Sequence, residues 1–303
     1  MRVGTRGSRL AMAQARKVCG LLSERGVEAS PAIIKTSGDV HTSEPLHAMK
    51  GVGAFVREID DRLLAGEVDI AVHSLKDVPT KRPEGLATAA VLKRESALDV
   101  AVTREGKKLS ELEEGAVVGT SSTRRAALIK KHYPHLRTNN IRGNVDTRLR
   151  KLGEGEYDAI LLAEAGLIRL GMDIIKERLD PYDFVPSANQ GVIAIVARPG
   201  TPEFDAVSAL NDHDTWLETG VERAIASALD GGCVAPMGAY ARLEGDGLDV
   251  VCEVLSLDGR RQARVRETIP VKDHERHALR LAEKLAACGG RDLVEEAKRE
   301  LRR

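Results

Sequence analysis

The hydrophobic residues of the chain fall into short runs, and most runs are followed by a polar loop and an amphipathic segment. The runs predict buried strands at residues 2–5, 32–35, 69–73, 99–103, 116–119, 159–162 and 192–197. After the first run, Ala11, Ala15, Val18 and Leu22 share one helical face, and Gly26 predicts the end of that helix. The repeated strand–loop–helix order predicts a mostly parallel sheet with helices on both faces.

The last third of the chain has a different pattern. Alternating apolar residues predict strands at 239–243, 248–257 and 262–269, and two helices follow at about 273–288 and 291–302. Strands followed by helices in one block are typical of a small α+β domain.

Two helix starts are predicted from capping residues. Ser110 and Glu113 form the S-x-x-E pattern of a capping box. Thr201 precedes Pro202, an arrangement typical of the first turn of a helix. A longer helix is predicted at about 212–229.

Composition and charge limit the classes of function. The 303 residues suffice for two or three domains, and 42% hydrophobic with 30% charged residues is ordinary for a soluble globular protein. Lys plus Arg and Asp plus Glu both number 46, and aromatic residues make up only 3%. Neither a general attraction to nucleic acid or anionic membranes nor a stacking platform for single strands is therefore expected.

No segment predicts export, a membrane span or a metal site. The first six residues lack an apolar run, and no stretch of about 18 apolar residues occurs. The cysteines at 19, 233, 252 and 288 show no CxxC or metal-like spacing. These features predict a cytoplasmic protein with reduced thiols, no disulfide framework and no metal.

Polar loops at four strand-to-helix junctions are candidate binding elements. Ligands of open α/β sheets bind at the carboxyl ends of strands, and helix N-termini with nearby arginines attract anions. An ordinary capped turn explains the first loop as well, and a surface turn before Pro79 explains the second. The loops are Arg6-Gly7-Ser8, Ser74-Leu75-Lys76-Asp77, Thr120-Ser121-Ser122-Thr123-Arg124-Arg125 and Arg142-Gly143-Asn144.

Cys233 lies on a loop between a predicted helix and a strand. Gly231 and Gly232 allow backbone conformations that other residues avoid, and Pro236 stiffens the chain behind it. For a lone cysteine, a small buried apolar residue is the simpler interpretation. The basic loops elsewhere in the chain instead indicate that Cys233 carries something anionic.

These segments occur together, in the same order, in one known family. The chain closely resembles porphobilinogen deaminases (hydroxymethylbilane synthases) over most of its length. The matching segments are Gly4-Thr5-Arg6-Gly7-Ser8, His73-Ser74-Leu75-Lys76-Asp77-Val78-Pro79, Val118-Gly119-Thr120-Ser121-Ser122-Thr123-Arg124-Arg125, Arg142-Gly143-Asn144-Val145-Asp146-Thr147-Arg148 and Asp230-Gly231-Gly232-Cys233-Val234-Ala235-Pro236.

The resemblance implies an α/β fold with three domains. Two of them resemble the halves of type II periplasmic binding proteins: residues 1–92 plus 188–208 form the first, and residues 93–187 form the second. The first holds the active-site loop and the catalytic aspartate, and the second binds cofactor and substrate carboxylates. The third, residues 209–303, is a small α+β domain that carries Cys233.

The resemblance also implies a dipyrromethane cofactor, itself made from porphobilinogen, in thioether linkage to Cys233. Four porphobilinogens are condensed head to tail with release of ammonia, and water then frees the linear hydroxymethylbilane. Loss of ammonia leaves a cationic azafulvene, whose charge a nearby carboxylate stabilises. By their match to the family motif, Asp77 is that catalytic carboxylate and Lys76 contacts the cofactor.

Further site residues are implied by the same match. Porphobilinogen carries acetate and propionate groups, which arginines bind bidentately and hydroxyl groups bind as neutral donors. The expected cofactor-binding residues are Ser74, Lys76, Thr120, Ser121, Ser122, Arg124, Arg125, Gly143, Asn144 and Arg148. The expected substrate-binding residues are Arg6, Ser8, Lys50, Phe55, Arg142, Arg169 and Gln190.

Two positions depart from the family pattern. Gly-x-Lys-Gly-x-Phe is replaced by Gly51-Val52-Gly53-Ala54-Phe55, with Val52 in the lysine position. We predict that Lys50 takes over the contact to the substrate carboxylate while Phe55 packs beneath it; a solvated Lys50 is the alternative. Gly-Gln-Gly is replaced by Asn189-Gln190-Gly191, which affects a hinge glycine and not the chemistry.

Two other classes of protein remain as alternatives. A two-lobed protein that binds small anions without catalysis needs no modified thiol, so the mass of the intact chain distinguishes it. A cysteine-dependent hydrolase needs a histidine base, and no histidine lies near Cys233 in sequence. The preferred prediction is a porphobilinogen deaminase, a transferase that acts as a monomer without nucleic-acid or membrane partners.

Overall fold

A computed structural model describes residues 1–35, 54–80, 82–230 and 235–301. The chain forms two compact units. Unit 1 comprises Met1–Ser96, Ala165–Met172 and Gln190–Trp216, and unit 2 comprises Ala97–Glu164, Asp173–Asn189 and Leu217–Arg303. Within the described residues, no helix is long and apolar enough to cross a membrane, and no cluster of three or more His, Cys, Asp or Glu is arranged to hold a metal ion.

Strands and helices alternate along most of the described chain. The strands are β1 (Arg2–Thr5), β2 (Ser30–Ile33), β3 (Ile70–Ser74), β4 (Ala87–Val91), β5 (Asp99–Thr103), β6 (Val117–Gly119), β7 (Arg137–Asn139), β8 (Ala159–Ala163), β9 (Glu177–Arg178), β10 (Ile193–Ala197), β11 (Met237–Glu244), β12 (Gly247–Leu255) and β13 (Gln262–Pro270). The α-helices are α1 (Arg9–Ser23), α2 (Ala54–Leu64), α3 (Thr123–His132), α4 (Val145–Gly153), α5 (Glu164–Arg169), α6 (Pro202–Ser208), α7 (His213–Ala228), α8 (His274–Leu285) and α9 (Arg291–Glu300). Short 3₁₀ turns occur at Leu75–Asp77 and Leu109–Glu111, and a π turn, Ala286–Gly290, joins α8 to α9.

Unit 1 is built on a five-stranded sheet with the order β2-β1-β3-β10-β4. β1 pairs in parallel with β2 and β3, whereas β10 is antiparallel to both β3 and β4. As predicted, α1 buries Ala15, Val18 and Leu22 against this sheet. The expectation of a mostly parallel sheet is confirmed, because β1, β2, β3 and β4 run in one direction. The exception is β10, which returns from later in the chain and runs against its neighbours.

Unit 2 contains a second five-stranded sheet, with the order β7-β6-β8-β5-β9. β6 is parallel to β7 and β8, and β5 is antiparallel to β8 and β9. This sheet is therefore also mixed, because β5 runs against the other four strands. Ala127 and Leu128 of α3 and Leu161 of β8 contribute to its core.

The C-terminal part of unit 2 is the α+β block that the sequence predicts. β11, β12 and β13 form an antiparallel meander. Its core includes Ile225 of α7, Val250 of β12, Leu281 of α8 and Val294 of α9. Two mixed α/β sheets and a small antiparallel sheet with helices confirm the predicted α/β fold with a small C-terminal α+β block. The predicted boundaries of three domains remain a prediction.

Of the predicted local features, one helix cap is confirmed, one capping box is wrong and one strand is shifted. Thr201 Oγ1 accepts a hydrogen bond from the Phe204 N–H at 3.3 Å and caps α6 as expected. The predicted capping box of Ser110 is wrong: Glu111 accepts from the Lys108 N–H at 2.7 Å, so the turn starts earlier and is 3₁₀. β2 likewise begins and ends two residues before the predicted strand.

Candidate functional site

The carboxyl end of β3 carries the predicted catalytic residue. β3 is buried, and the Leu75 N–H donates to the Val192 carbonyl at 2.9 Å. Leu75 is 1% exposed, so the 3₁₀ turn Leu75–Asp77 is anchored in the core while Asp77 at its end is exposed. An ionisable carboxylate therefore stands on a rigid support at the edge of the sheet where α/β proteins bind ligands.

Two hydrogen bonds fix Ser74 and Lys76, which precede Asp77 in the chain. Lys76 Nζ donates to Gln190 Oε1 at 3.3 Å, and Gln190 is buried. Gln14 Nε2 donates to Ser74 Oγ at 2.8 Å. The sequence analysis did not single out Gln14. The available signal was a glutamine on the face of α1 that is otherwise apolar and buried.

Arg169, predicted to bind substrate, lies at the end of α5 beside carboxylates of unit 1. Its Nε is 2.5 Å from Glu95 Oε2, and its Nη2 donates to the Gly191 carbonyl at 2.7 Å. Burial lowers the pKa of Arg169, and the negative charges of Glu95 and Asp77 oppose that shift. Asp77 is thus close enough to Arg169 for the two charges to interact.

The loop between β1 and α1 is an ordinary capped helix start in its hydrogen bonding. Ser8 Oγ accepts from the Ala11 N–H at 3.3 Å and serves as the N-cap of α1. Arg6 is half-buried in the same loop. The structure therefore brings Ser8 and Arg6 together at a helix N-terminus, and their predicted contact with substrate remains a prediction.

In unit 2, three hydroxyl groups shape the loop between β6 and α3. Ser122 Oγ accepts from the Arg125 N–H at 3.4 Å and caps α3. Thr120 Oγ1 accepts from the Ser122 N–H at 3.2 Å, and Ser121 Oγ donates to the Ile141 carbonyl. These bonds hold the loop against the start of the next candidate segment.

Arg124 and Arg125 are buried and share one carboxylate. Arg124 Nη1 is 2.7 Å from Asp99 Oδ2 and Arg125 Nη2 is 2.7 Å from Asp99 Oδ1. They also donate to the carbonyls of Val185 and Leu161. Burial lowers the pKa of Arg124, although Asp99 opposes this. The sequence did not identify Asp99 as the partner of these arginines. The available signal was a carboxylate at the start of an otherwise apolar strand.

The loop before α4 collects positive charge. Arg148 Nε donates to the Gly143 carbonyl at 2.9 Å, and no carboxylate among the described residues pairs with Arg148. Burial and then the charges of Arg125 and Arg142 lower the pKa of Arg148 to about 10. Asn144 occupies the N-cap position of α4 without a side-chain cap. An anion bound here would relieve the repulsion among these guanidinium groups.

This set of donors fits a ligand with several carboxylates. Two guanidinium groups share the single carboxylate of Asp99, and Arg124 Nε is a buried donor with no acceptor among the described residues. A buried donor without a partner costs about 1–3 kcal/mol, which a ligand oxygen can offset. The residues of unit 2 therefore suit dipyrromethane, whose side chains are acetates and propionates.

Gly143 offers a test of this local geometry. Its φ is +111°, and an added Cβ would lie 2.6 Å from Thr147 Cγ2. We expect Gly143→Ala to lower the free energy of unfolding by about 1–3 kcal/mol and to displace the carbonyl that holds Arg148. Gly153→Ala, in open space at the other end of α4, is the control and should not destabilise. Urea unfolding of both variants measures the difference; equal stabilities would contradict the expected strain.

Several predicted residues lie outside the described part of the structure. They are Cys233, Lys50, Val52 and the rest of the 37–53 loop. Phe55 belongs to α2, but its side chain is not among those described. Their roles remain predictions.

Comparison with known proteins gives matches along the whole chain. The family profile described as "Porphobilinogen deaminase, dipyromethane cofactor binding domain" matches residues 1–206. The profile "Porphobilinogen deaminase, C-terminal domain" matches residues 216–287.

Three relatives match over nearly their full lengths. The "Probable porphobilinogen deaminase" of Methanocella arvoryzae is 70% identical over 303 residues, which is all of both chains. That of Methanococcoides burtonii is 50% identical over 98% of this chain and 97% of its own. The "Porphobilinogen deaminase" of Syntrophobacter fumaroxidans is 41% identical over the same shares.

Proposed function

Because the chain belongs to the porphobilinogen deaminase family, we propose that it condenses four porphobilinogens stepwise, head to tail, and releases ammonia and hydroxymethylbilane. The chain is a transferase of tetrapyrrole biosynthesis with a dipyrromethane-cofactor-binding domain. The observation that best supports the assignment of residues is the position of Arg148, whose guanidinium lies near two other arginines with no carboxylate partner among the described residues.

The cofactor-binding residues are assigned by their donors. When bound, dipyrromethane supplies the pyrrole on which substrate units are condensed, and Cys233 provides the thioether sulfur. In unit 2, the arginines at 124, 125 and 148 bind its carboxylates, with Asp99 orienting the first two. The hydroxyls of Thr120, Ser121 and Ser122, together with Gly143 and Asn144, complete that set. In unit 1, Ser74 and Lys76 contribute donors.

Asp77 handles the charge that develops on the substrate. When ammonia leaves porphobilinogen, positive charge remains on the pyrrole and its methylene carbon. A fixed carboxylate stabilises this charge more than it stabilises the neutral ring, and it can accept the pyrrole proton. In unit 1, Arg169, Arg6, Ser8 and Gln190 bind the substrate side chains, with Lys50 and Phe55 from the segment around α2. Arg142 does so in unit 2.

The mass of the intact purified chain tests this function. We expect an increase equal to two pyrrole units on Cys233, together with porphobilinogen consumption and ammonia release. A non-catalytic anion-binding protein would show the unmodified mass and would leave porphobilinogen unchanged. That result would overturn the proposed function.

Arg148→Lys tests the requirement for a guanidinium. A lysine has no planar fork for bidentate binding. Burial and the neighbouring arginines, which lower the pKa of Arg148 to about 10, would also lower the pKa of a lysine at this position below its ordinary value of about 10.4. Lysine is cationic only below its pKa, so we expect the variant to assemble and attach less cofactor from porphobilinogen as the pH rises toward 9. Cofactor loading of the wild-type chain should be unaffected over the same rise in pH. Equal cofactor content in both proteins at pH 9 would argue against a carboxylate contact.

We also propose the finer organisation that the family resemblance implies. Each of the three sheets has its own main hydrophobic cluster, which supports three domains at 1–92 plus 188–208, 93–187 and 209–303. The second and third of these proposed domains also share a small cluster of Ala97, Val185, Tyr240 and Val251. The protein acts as a cytoplasmic monomer. Light scattering of the purified protein tests this state, and a stable dimer would contradict it.

A further inference from the structure

Glu95 joins three parts of unit 1 through one carboxylate. It lies between β4 and β5 in sequence, and its Oε2 is 2.5 Å from Arg169 Nε at the end of α5. Its Oε1 is 2.5 Å from Lys17 Nζ on α1. Its backbone N–H donates to the Gly191 carbonyl at 3.3 Å, just before β10. The family motifs in the sequence do not include this residue.

Gly191 makes the arrangement rigid. Its carbonyl accepts from Arg169 Nη2 at 2.7 Å as well as from Glu95. Its φ is +86°, and an added Cβ would lie 2.0 Å from the Ser96 carbonyl oxygen. Only glycine allows two backbone segments to approach so closely. Glu95 and the acceptor on Gly191 are therefore held at a fixed separation.

Two of the three nitrogens of the Arg169 guanidinium are bound within unit 1. Its Nε and Nη2 bind Glu95 and Gly191, whereas its Nη1 has no acceptor among the described residues. The side chain is 6% exposed, so it has little freedom to move. The residue before Gly191 is Gln190, whose Oε1 accepts a hydrogen bond from Nζ of Lys76, the neighbour of Asp77. The same short segment thus supports the cation and the turn that carries the carboxylate.

We propose that Glu95 is a positioning residue: its ion pair holds Arg169 so that the remaining guanidinium donors meet a porphobilinogen carboxylate beside Asp77. Glu95 itself does not contact substrate. The inference rests on the proposed role of Arg169 as a substrate-binding residue. Lys17 pairs with the other carboxylate oxygen, but its side chain is 43% exposed. We expect its removal to leave the Glu95–Arg169 pair in place.

The test compares cofactor-loaded Glu95→Gln, Lys17→Met and Arg169→Gln with wild type. Glutamine keeps the shape of Glu95 but removes the charge that fixes Arg169. We expect Glu95→Gln to lower kcat/KM for porphobilinogen on the order of tenfold, mainly through a higher KM. Lys17→Met should stay within about twofold of wild type, because exposed ion pairs contribute little. Intact mass should show unchanged cofactor content, and thermal unfolding should show a lower melting temperature for Glu95→Gln, because the buried Arg169 loses its carboxylate partner.

A double-mutant cycle separates this inference from the proposed function. If Glu95 acts through Arg169, adding Glu95→Gln to Arg169→Gln should change KM by less than about twofold. Additive effects would overturn the positioning role and leave the role of Arg169 standing. A wild-type KM for Arg169→Gln would instead refute the proposed function of Arg169. Glu95→Asp, which keeps the charge on a shorter stem, should give an intermediate KM even if Glu95→Gln folds poorly; a KM equal to that of wild type would contradict the dependence on position.

Discussion

We expect Cys233→Ser to give a folded chain that carries no dipyrromethane and has no measurable deaminase activity. The thioether requires a sulfur nucleophile, and the serine hydroxyl is far less acidic and less nucleophilic than a thiol. Because a bound ligand stabilises the folded state, we also expect the variant to unfold at a lower temperature than the loaded wild type. Intact mass, circular dichroism and a porphobilinogen consumption assay measure these three effects.

The other cysteines provide the controls. Burial raises the pKa of Cys252 to about 12 and also raises that of Cys19, so neither forms much thiolate near neutral pH. Cys288 is exposed, and Cys288→Ser is therefore the matched variant for a reactive surface thiol. It should retain the full adduct and full activity. A full adduct on any cysteine of Cys233→Ser would show that the attachment site is elsewhere.

The sequence predicted those parts of the fold that depend on local periodicity. The face of α1 with Ala15, Val18 and Leu22 follows from spacing alone, because a helix places these residues on one side. The direction of β5 and β10 did not follow. Each pairs with strands distant in sequence, so its direction is decided by the path of the chain between sheets and not by its own residues.

The sequence predicted the arginines of the candidate site but not the carboxylates that pair with them. Arg124 and Arg169 lie in motifs with a recognisable order, but their partners do not. Asp99 is 25 residues from Arg124, and Glu95 is 74 residues from Arg169. Such pairs form only when strands and helices from separate segments pack together, so spacing in the sequence carries no signal for them. The sequence therefore gives no carboxylate partner for these arginines, whereas in the structure Arg124 pairs with Asp99 and Arg169 with Glu95.

This difference changes how the arginines work. A guanidinium already bound to a carboxylate gives up less rotational freedom when a ligand arrives, so its remaining donors are preorganised. Arg124 and Arg169 each combine a fixed ion pair with a nitrogen that has no acceptor among the described residues. Arg148 differs, because its described partner is a backbone carbonyl and its charge is opposed by other arginines. We therefore expect a bound anion to stabilise the surroundings of Arg148 the most.

Asp77→Asn should lower kcat of the cofactor-loaded enzyme roughly a hundredfold or more, equivalent to about 3 kcal/mol of transition-state stabilisation. Asparagine keeps the size of aspartate but removes the charge opposite the cationic pyrrole. The 3₁₀ turn should be preserved, because Leu75 and not Asp77 anchors it in the core. KM should change much less than kcat, since the carboxylate acts on charge that develops only after ammonia leaves.

Asp61→Asn is the matched control for this charge change. Asp61 is an exposed residue of α2 in the same unit, so the variant alters the net charge equally without reaching the turn at β3. Its kcat should equal that of wild type. Rates are compared per loaded chain, with loading measured by intact mass, so that incomplete cofactor assembly is not mistaken for slow chemistry. An Asp77→Asn enzyme whose kcat stays within about twofold of the control would refute the role of Asp77, since a preorganised charge at the reacting ring cannot be removed without a larger loss.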